Sequence, residues 1–277
     1  MKTAELLKQL AEIMIPLGAD IARNDARIIM SHIYDCSLNR VFLIPEANEE
    51  QAAKAFEIAE KRKDRVPLQY LLGEAYFMGR KFKVTKDTLI PRCDTEPIVE
   101  AALKILKTMP KADVCDIGTG TGCIAISIAE ALPNVKVCAS DVYSNTLSIA
   151  KENAKGISNI EFFRGDLVAP HCEHNRIYDM VISNPPYLSD ADMEGMQKEL
   201  EFEPEKALYG GRDGLDFYKR LIHEAPFILR KGGYLVLEHG CTQQAQIAAL
   251  LKKCGLTVVK LIKDLGGNDR GIIAVKN

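Results

Sequence analysis

No run of apolar residues in this chain approaches the roughly 20 needed to cross a bilayer. The opening residues, Met1-Lys2-Thr3-Ala4-Glu5, lack the apolar stretch of a signal peptide, and acids follow at Glu5 and Glu12. A cytoplasmic protein without membrane contact is therefore expected. A basic excess is missing too. The formal net charge is -2, which disfavours the broad phosphate grip of a duplex-DNA binder, so no stable DNA partner is expected. None of the eight cysteines forms a C-x-x-C pair, and those inside apolar runs, such as Cys115 and Cys138, read as reduced core thiols. His171, Cys172 and His174 lie close together, but their spacing fits no zinc pattern and the segment reads as a loop. No metal is expected. Internal repeats and low-complexity tracts are also absent. What remains is a globular composition, 47% hydrophobic and 27% charged over 277 residues, enough for one large domain with a smaller companion.

The texture changes along the chain. Up to about residue 65 it reads as helices, with Leu6, Leu7, Leu10, Ile13 and Met14 on one stripe and Ala22, Ala26, Ile29, Met30 and Ile33 on another. Pro16 and Gly18 break the first stripe, and Glu49 to Lys63 form a further polar-faced helix. A small bundle is the natural packing. Gly79 then separates two strand-like runs, a hairpin pattern, and Thr95 stands as a candidate N-cap for a helix running to Lys107. From about residue 112, short apolar runs alternate with helical segments. Strands are expected at Ala112 to Ile117, Val135 to Ser140, Ile160 to Arg164, Met180 to Ser183, Tyr234 to Glu238, Val258 to Ile262 and Ile272 to Val275. Helices are expected at Cys123 to Ala131, Ser144 to Lys155, Leu215 to Leu229 and Gln243 to Cys254. Such alternation implies an α/β fold with a mainly parallel sheet covered on both faces.

Asp116-Ile117-Gly118-Thr119-Gly120-Thr121-Gly122 follows the first of these strands and leads into a helix. Glycines let a ligand approach the backbone closely, and the helix start adds free N–H groups. The dinucleotide fingerprint would need a glycine where Cys123 stands, and no P-loop lysine follows. Asp116 puts negative charge beside the loop, which suits a cationic ligand better than a pyrophosphate. S-adenosylmethionine (SAM), with its sulfonium and amino groups, meets that demand. Asp141 closes the second strand, where a ribose-binding acid belongs. Asp166 closes the third and could accept from an adenine amino group, with Val142 and Leu167 on the ring faces.

Asn184-Pro185-Pro186-Tyr187 closes the fourth strand, the edge at which open α/β sheets bind ligands. Two prolines stiffen the backbone and remove two donors. The Asn184 side-chain oxygen and the Pro185 carbonyl can each accept an N–H from a planar NH2, and Tyr187 offers it a flat face. Holding both N–H bonds turns the nitrogen lone pair toward a sulfonium methyl, so positioning supplies the catalysis and no nucleophilic side chain is needed.

These residues, together with Pro67-Leu68-Gln69-Tyr70-Leu71-Leu72-Gly73-Glu74, Leu89-Ile90-Pro91-Arg92, and Gly210-Gly211-Arg212-Asp213-Gly214-Leu215-Asp216-Phe217-Tyr218, resemble the HemK/PrmC family, the release factor glutamine N5-methyltransferases, over nearly the whole chain. The resemblance implies a seven-stranded class I SAM-dependent methyltransferase (Rossmann-like) domain at 91–277, a β-hairpin linker at 73–90 and a helical substrate-recognition domain at 1–72. It implies SAM contacts at Gly118, Thr119, Gly120, Thr121, Gly122, Asp141, Leu167 and Asn184, with S-adenosylhomocysteine as product; the reading of the loop and strand ends adds Asp116, Val142 and Asp166 to that set. Asn184, Pro185, Pro186 and Tyr187 would hold the substrate, with Asn184, Pro185 and Tyr187 acting in catalysis. The implied substrate is the glutamine of the Gly-Gly-Gln motif in bacterial peptide chain release factors, met by a monomer. Leu167 stands where some members carry tryptophan, and His239 follows Glu238 where isoleucine is common. Two other readings of the residues stay open. Adenine also presents a planar NH2, so an adenine-N6 DNA methyltransferase would use the same corner after base flipping. A nucleoside-binding scaffold would bind SAM without turnover.

Overall fold

The computed structural model describes residues 1–277 and divides into two compact units: Met1–Glu74 with Gln197–Phe202, and Ala75–Met196 with Glu203–Asn277. The first unit is built from α1 (Thr3–Met14), α2 (Ala19–Ile33), α3 (Glu49–Lys63) and the short α4 (Leu68–Leu72). Leu6, Leu10 and Met14 recur every fourth residue on α1 and are fully buried in one cluster with Ala26, Ile29, Met30, Ala55 and Ala59, the stripe-on-stripe packing of a bundle. The break at Pro16 and Gly18 is a 3-10 turn over Ile15–Leu17 followed by Gly18 at φ 107°, a region that favours glycine. A capping box opens α3: Asn48 Oδ1 accepts from the Gln51 N–H at 2.8 Å, and Gln51 Oε1 accepts from the Asn48 N–H at 3.0 Å. Gln197–Phe202 joins this unit through Glu199, which lies 3.0 Å from Arg65 and 3.6 Å from Arg62, while Arg62 also pairs with buried Asp25 at 2.8 Å. No pattern in the sequence marks that excursion.

The hairpin is present as a two-stranded sheet of β1 (Glu74–Phe77) and β2 (Arg80–Lys83). Its turn residues Met78 and Gly79 have φ of 51° and 77°, matching a two-residue turn that needs positive φ at both positions. The second unit continues with α5 (Glu96–Leu106), β3 (Asp113–Ile117), α6 (Cys123–Ala131), β4 (Lys136–Asp141), α7 (Ser144–Asn153), β5 (Ile160–Arg164), α8 (Ala169–Glu173), β6 (Tyr178–Ser183) and α9 (Asp190–Glu194). It ends with α10 (Asp216–Glu224), β7 (Leu229–Glu238), α11 (Gln244–Lys253), β8 (Leu256–Lys263) and β9 (Asp269–Lys276). Seven strands form one sheet in the order β5-β4-β3-β6-β7-β9-β8, parallel except where β9 pairs antiparallel with β7 and β8. Successive strand residues alternate between two apolar cores. Val114, Val137, Met180, Ile182 and Val236 face one cluster with Ile98 and Ile124, whereas Cys115, Val181, Leu235 and Leu237 face another with Tyr218 and Ile247. Both faces are covered, which is why these strands read as continuous apolar runs. From β3 the chain winds outward through β4 and β5, then returns to place β6 on the other side of β3. Ligands bind at such a switch point, beyond the carboxyl ends of the strands.

Three expectations shift. The helix expected from Leu215 to Leu229 ends at Glu224, because Pro226 removes a backbone donor and a 3-10 turn, Ala225–Phe227, takes over. Strand β7 starts at Leu229, five residues before Tyr234, and its register against β6 slips between Tyr178 and Met180 to absorb Arg230–Gly233. The His171 segment, read as a loop, contains the helical turn α8, and His171 is fully buried.

Candidate active site

The glycine loop is fastened to the neighbouring strand. Gly118 N–H and Thr119 N–H both donate to the Ser140 carbonyl at 2.9 Å, and Gly120 N–H donates to Asp141 Oδ2 at 3.1 Å. Gly118, Gly120 and Gly122 have φ of 71°, 57° and 83°, so the loop turns three times through backbone that side chains resist. Gly122 is also pressed on α7: a Cβ there would lie 2.9 Å from Ile126 Cδ1 and 3.3 Å from Ala150 Cβ. Asp116 sits beneath the loop. Its Oδ2 accepts from Thr119 Oγ1 at 2.6 Å and from Ala125 N–H at 3.2 Å, while Oδ1 is buried without a partner. Burial raises its pKa to about 7, against the pull of those two donors.

Asp141 closes β4 with its Oδ1 accepting from Tyr143 N–H at 3.0 Å and Oδ2 taking Gly120. Each carboxylate oxygen retains a lone pair for a further donor. Burial raises its pKa, and the backbone donors and Lys206 oppose that rise. Lys206 Nζ lies 3.4 Å from the centre of the Tyr143 ring, a cation–π contact at the rim. Behind Ser140, the buried His171 ring is held by Ser140 Oγ at 2.9 Å, Tyr178 Oη at 2.7 Å and Cys115 Sγ at 3.2 Å, and burial lowers its pKa to about 4. That imidazole is spoken for by the sheet. Asp166 follows β5, half-exposed and bonded to Arg220 at 2.7 Å. Leu167 next to it has φ 45° and is buried, while Val142 is exposed.

The Asn184 corner is held from several directions. Ser183 Oγ donates to the Ile117 carbonyl at 2.6 Å, which ties the end of β6 to β3. Asn184 Nδ2 donates to Thr95 Oγ1 at 3.5 Å, leaving the amide oxygen as an acceptor. No donor within the chain takes the Pro185 carbonyl. Gln243 Nε2 donates to the Tyr187 carbonyl at 2.9 Å and the Gly214 carbonyl at 3.2 Å, and Gln243 Oε1 accepts from Gly240 N–H at 3.0 Å. Leu188 N–H reaches the Leu208 carbonyl at 2.9 Å, and Gly210 N–H reaches the Leu188 carbonyl at 2.8 Å. A Cβ on Gly210 would stand 2.7 Å from the Pro186 carbonyl oxygen, so the Gly210–Gly214 run is the surface on which the proline corner rests. Burial, with Glu238 second, raises the Tyr187 pKa to about 12.

A cleft, about 1090 Å³ of empty space counted out to open solvent, joins the glycine loop to the Asn184 corner. Gly118, Thr119, Gly120, Thr121, Asp141, Val142, Asp166, Leu167, Asn184, Pro185 and Pro186 all line it. Asp116, Gly122 and Tyr187 do not line it; they support the residues that do. Thr95 is at the N-cap position of α5 but makes no side-chain cap, since its hydroxyl is turned to Asn184. Arg92 also lines the cleft and is paired with Glu203, whose other oxygen accepts from the Ile90 N–H at 3.0 Å. Sequence reading missed Thr95, Lys206 and Phe217 in the lining of the cleft and Gln243 as the brace of the corner. Only Phe217 carried a signal, as part of the Gly210–Tyr218 run.

A parallel sheet that reverses at β3 and β6, a glycine loop braced by Asp141, and an Asn-Pro-Pro-Tyr corner across the cleft define a class I SAM-dependent methyltransferase. The Methyltransferase small domain model matches residues 99–202, and the PrmC N-terminal domain model matches residues 5–73. The chain is 34% identical over 284 residues to a release factor glutamine methyltransferase of Bacillus cereus, with 99% of each chain covered. It is 38% identical to that of Cereibacter sphaeroides, with 99% and 98% covered, and 33% identical to that of Bacillus subtilis, with 99% and 98% covered. The chain belongs to the release factor glutamine methyltransferase family. Among solved structures, the hMettl16 catalytic domain shares the fold at TM-score 0.57 and 17% identity, covering 84% of each chain. A methyltransferase from Pyrococcus furiosus shares it at TM-score 0.51 and 22% identity, covering 78% of this chain and 98% of its own.

Proposed function

We propose that this methyltransferase places the methyl group of SAM on the side-chain amide nitrogen, N5, of the glutamine in the Gly-Gly-Gln motif of peptide chain release factors. When bound, SAM supplies an electrophilic methyl on a sulfonium. The donor set fits such a ligand: backbone N–H groups and a close-approach glycine loop, an Asp141 carboxylate with spare lone pairs for ribose hydroxyls, and Asp166 with Val142 and Leu167 for an adenine ring. Asp116 serves by holding the loop through Thr119 and Ala125.

An amide nitrogen is a weak nucleophile because its lone pair is delocalised. The Asn184 amide oxygen and the Pro185 carbonyl accept its two N–H bonds and turn the lone pair toward the methyl carbon. Bound SAM would supply the methyl carbon and leave as neutral S-adenosylhomocysteine, while Asn184 and Pro185 hold the two N–H bonds and the displaced proton passes to solvent. Pro186 stiffens the corner. Tyr187, whose raised pKa keeps it neutral, is assigned to the substrate by the family resemblance. The observation that carries the reading is the direction of the Asn184 amide, with NH2 engaged by Thr95 in a cleft shared with the glycine loop.

On this reading residues 1–72 recognise the release factor away from its glutamine, the hairpin at 73–90 links them to the catalytic domain at 91–277, and a monomer works in the cytoplasm. No helix is long and apolar enough to cross a membrane. Incubation with tritiated SAM and either release factor or duplex DNA tests the substrate. Label on the release factor, with the added methyl localised by mass to the Gly-Gly-Gln glutamine, is the expected result. Label on adenine would establish the alternative reading, and label on neither would leave a SAM-binding scaffold.

A further inference from the structure

Glu238 is an acid with no role in the site as described so far. It ends β7, is 2% exposed, and keeps its Oε2 buried with no partner. A carboxyl placed this way costs stability, so its retention calls for another reason. The sheet register supplies the setting. Ser183 pairs with Leu237 across β6 and β7, so the next residues, Asn184 and Glu238, stand side by side at the two strand tips. The Glu238 backbone is pinned there by Tyr218 Oη, which donates to its carbonyl at 2.7 Å, and by pairing with Gly271 of β9. Thr95 and Asn184 are the polar neighbours that pull its pKa down against the rise that burial causes.

The direction of the bond between Asn184 and Thr95 matters. A threonine hydroxyl has one proton and two lone pairs. Thr95 Oγ1 accepts from Asn184 Nδ2 at 3.5 Å, so its own proton points away from Asn184, and the buried Glu238 carboxyl at the neighbouring strand tip is the acceptor for it. The Asn184 NH2 is then drawn to the Thr95 and Glu238 side, and its oxygen is left to the substrate. We propose that Glu238 is a positioning residue for methyl transfer, acting with Thr95 to lock the Asn184 amide in the orientation that accepts the substrate N–H. Without that acceptor, the Thr95 hydroxyl can turn and donate to the Asn184 oxygen. The amide then presents NH2 to the substrate NH2, two donors facing each other. This inference rests on the reading of Asn184 as the substrate acceptor.

A mutant cycle separates the two ideas. Release-factor methylation is measured as kcat and KM, with SAM affinity by calorimetry, for the wild type, Asn184→Ala, Glu238→Met, Glu238→Gln and the double variant Asn184→Ala with Glu238→Met. Glu238→Met removes the acceptor at similar length and should lower kcat by about ten- to a hundredfold, with SAM affinity within about twofold. Glu238→Gln keeps one acceptor oxygen and should recover most of the loss. In the Asn184→Ala background, Glu238→Met should cost less than about twofold more, because residues acting as one unit are not additive. Multiplying losses in the double variant, or wild-type kcat in Glu238→Met, would overturn the positioning role alone. Wild-type turnover in Asn184→Ala would instead overturn the acceptor reading. Should Glu238→Met fail to fold, Thr95→Val with rescue by Thr95→Ser carries the same test: loss and rescue in kcat support the lock, and unchanged kcat in Thr95→Val removes it.

Discussion

The glycine loop and the Asn184 corner end neighbouring strands of one sheet, β3 and β6, yet they are built on opposite principles. The loop is made of residues close in sequence, and most of its bonds go to the next strand: Ser140 and Asp141 of β4, with Asp116 below. The corner is four residues long but is held by Thr95, Gly210, Gly214 and Gln243, drawn from three distant segments. A nucleoside site needs exposed backbone donors and one well-placed acid, which a short motif can carry. Orienting a single amide against a reactive carbon needs the side chain's rotation fixed, and that takes contacts from every side. The loop should therefore govern cofactor affinity and the corner should govern rate.

Asn184→Ala is the strongest test of that division. Loss of a buried acceptor is worth about 1–3 kcal/mol, so kcat should fall by roughly ten- to a hundredfold. SAM affinity should stay within about twofold by calorimetry, and a parallel fall in affinity would blur the division. Asp141→Ala should do the reverse, raising the SAM dissociation constant about tenfold or more through lost ribose and Gly120 bonds. Turnover at saturating SAM should change far less; if kcat falls as it does for Asn184→Ala, the two regions are not separable.

Gln243→Ala should have a smaller effect. It releases the Tyr187 and Gly214 carbonyls, which should lower stability by about 1–2 kcal/mol in urea unfolding and lower kcat severalfold. An unchanged kcat would show that the corner needs no such brace.

The smallest expected effect is a pH dependence beneath the loop. Burial raises the Asp116 pKa from 3.8 to about 7 in the folded chain. Folded Asp116 thus holds its proton at higher pH than unfolded Asp116. Its stabilising contribution is complete below about pH 4 and is lost as pH rises through about 7. Glu238, raised from 4.5 to about 7, adds a decline of the same sign. In SAM-free protein, Asp116→Asn should flatten the fall in unfolding free energy across that window. An unaltered slope would mean that Asp116 is ionised throughout.

The same contrast explains what could be read from sequence. The glycine spacing, the acids at Asp141 and Asp166, and the proline corner were legible because each is a local pattern with a chemical meaning. Alternating apolar runs were enough for the parallel sheet. The partners of the corner were not legible. Thr95 looked like a helix cap, and it stands at the cap position with its hydroxyl turned elsewhere. Gln243 and Lys206 carry no local signal, since their meaning comes from where β7 and the Leu208–Gly214 segment pass. The charge of Asp116 was legible, but its burial under the loop was not, because depth depends on how α6 and β4 pack around it. Pro226 and the Arg230–Gly233 insertion moved the helix and strand ends for backbone reasons that periodicity does not register.

A crystal structure of the chain with S-adenosylhomocysteine and a Gly-Gly-Gln peptide tests the central claim most directly. The glutamine NH2 should lie within about 3.2 Å of both the Asn184 amide oxygen and the Pro185 carbonyl, with its nitrogen facing the sulfur. A glutamine bound with its carbonyl in the corner, or a cofactor sulfur on the far side of the cleft from Asn184, would contradict the account.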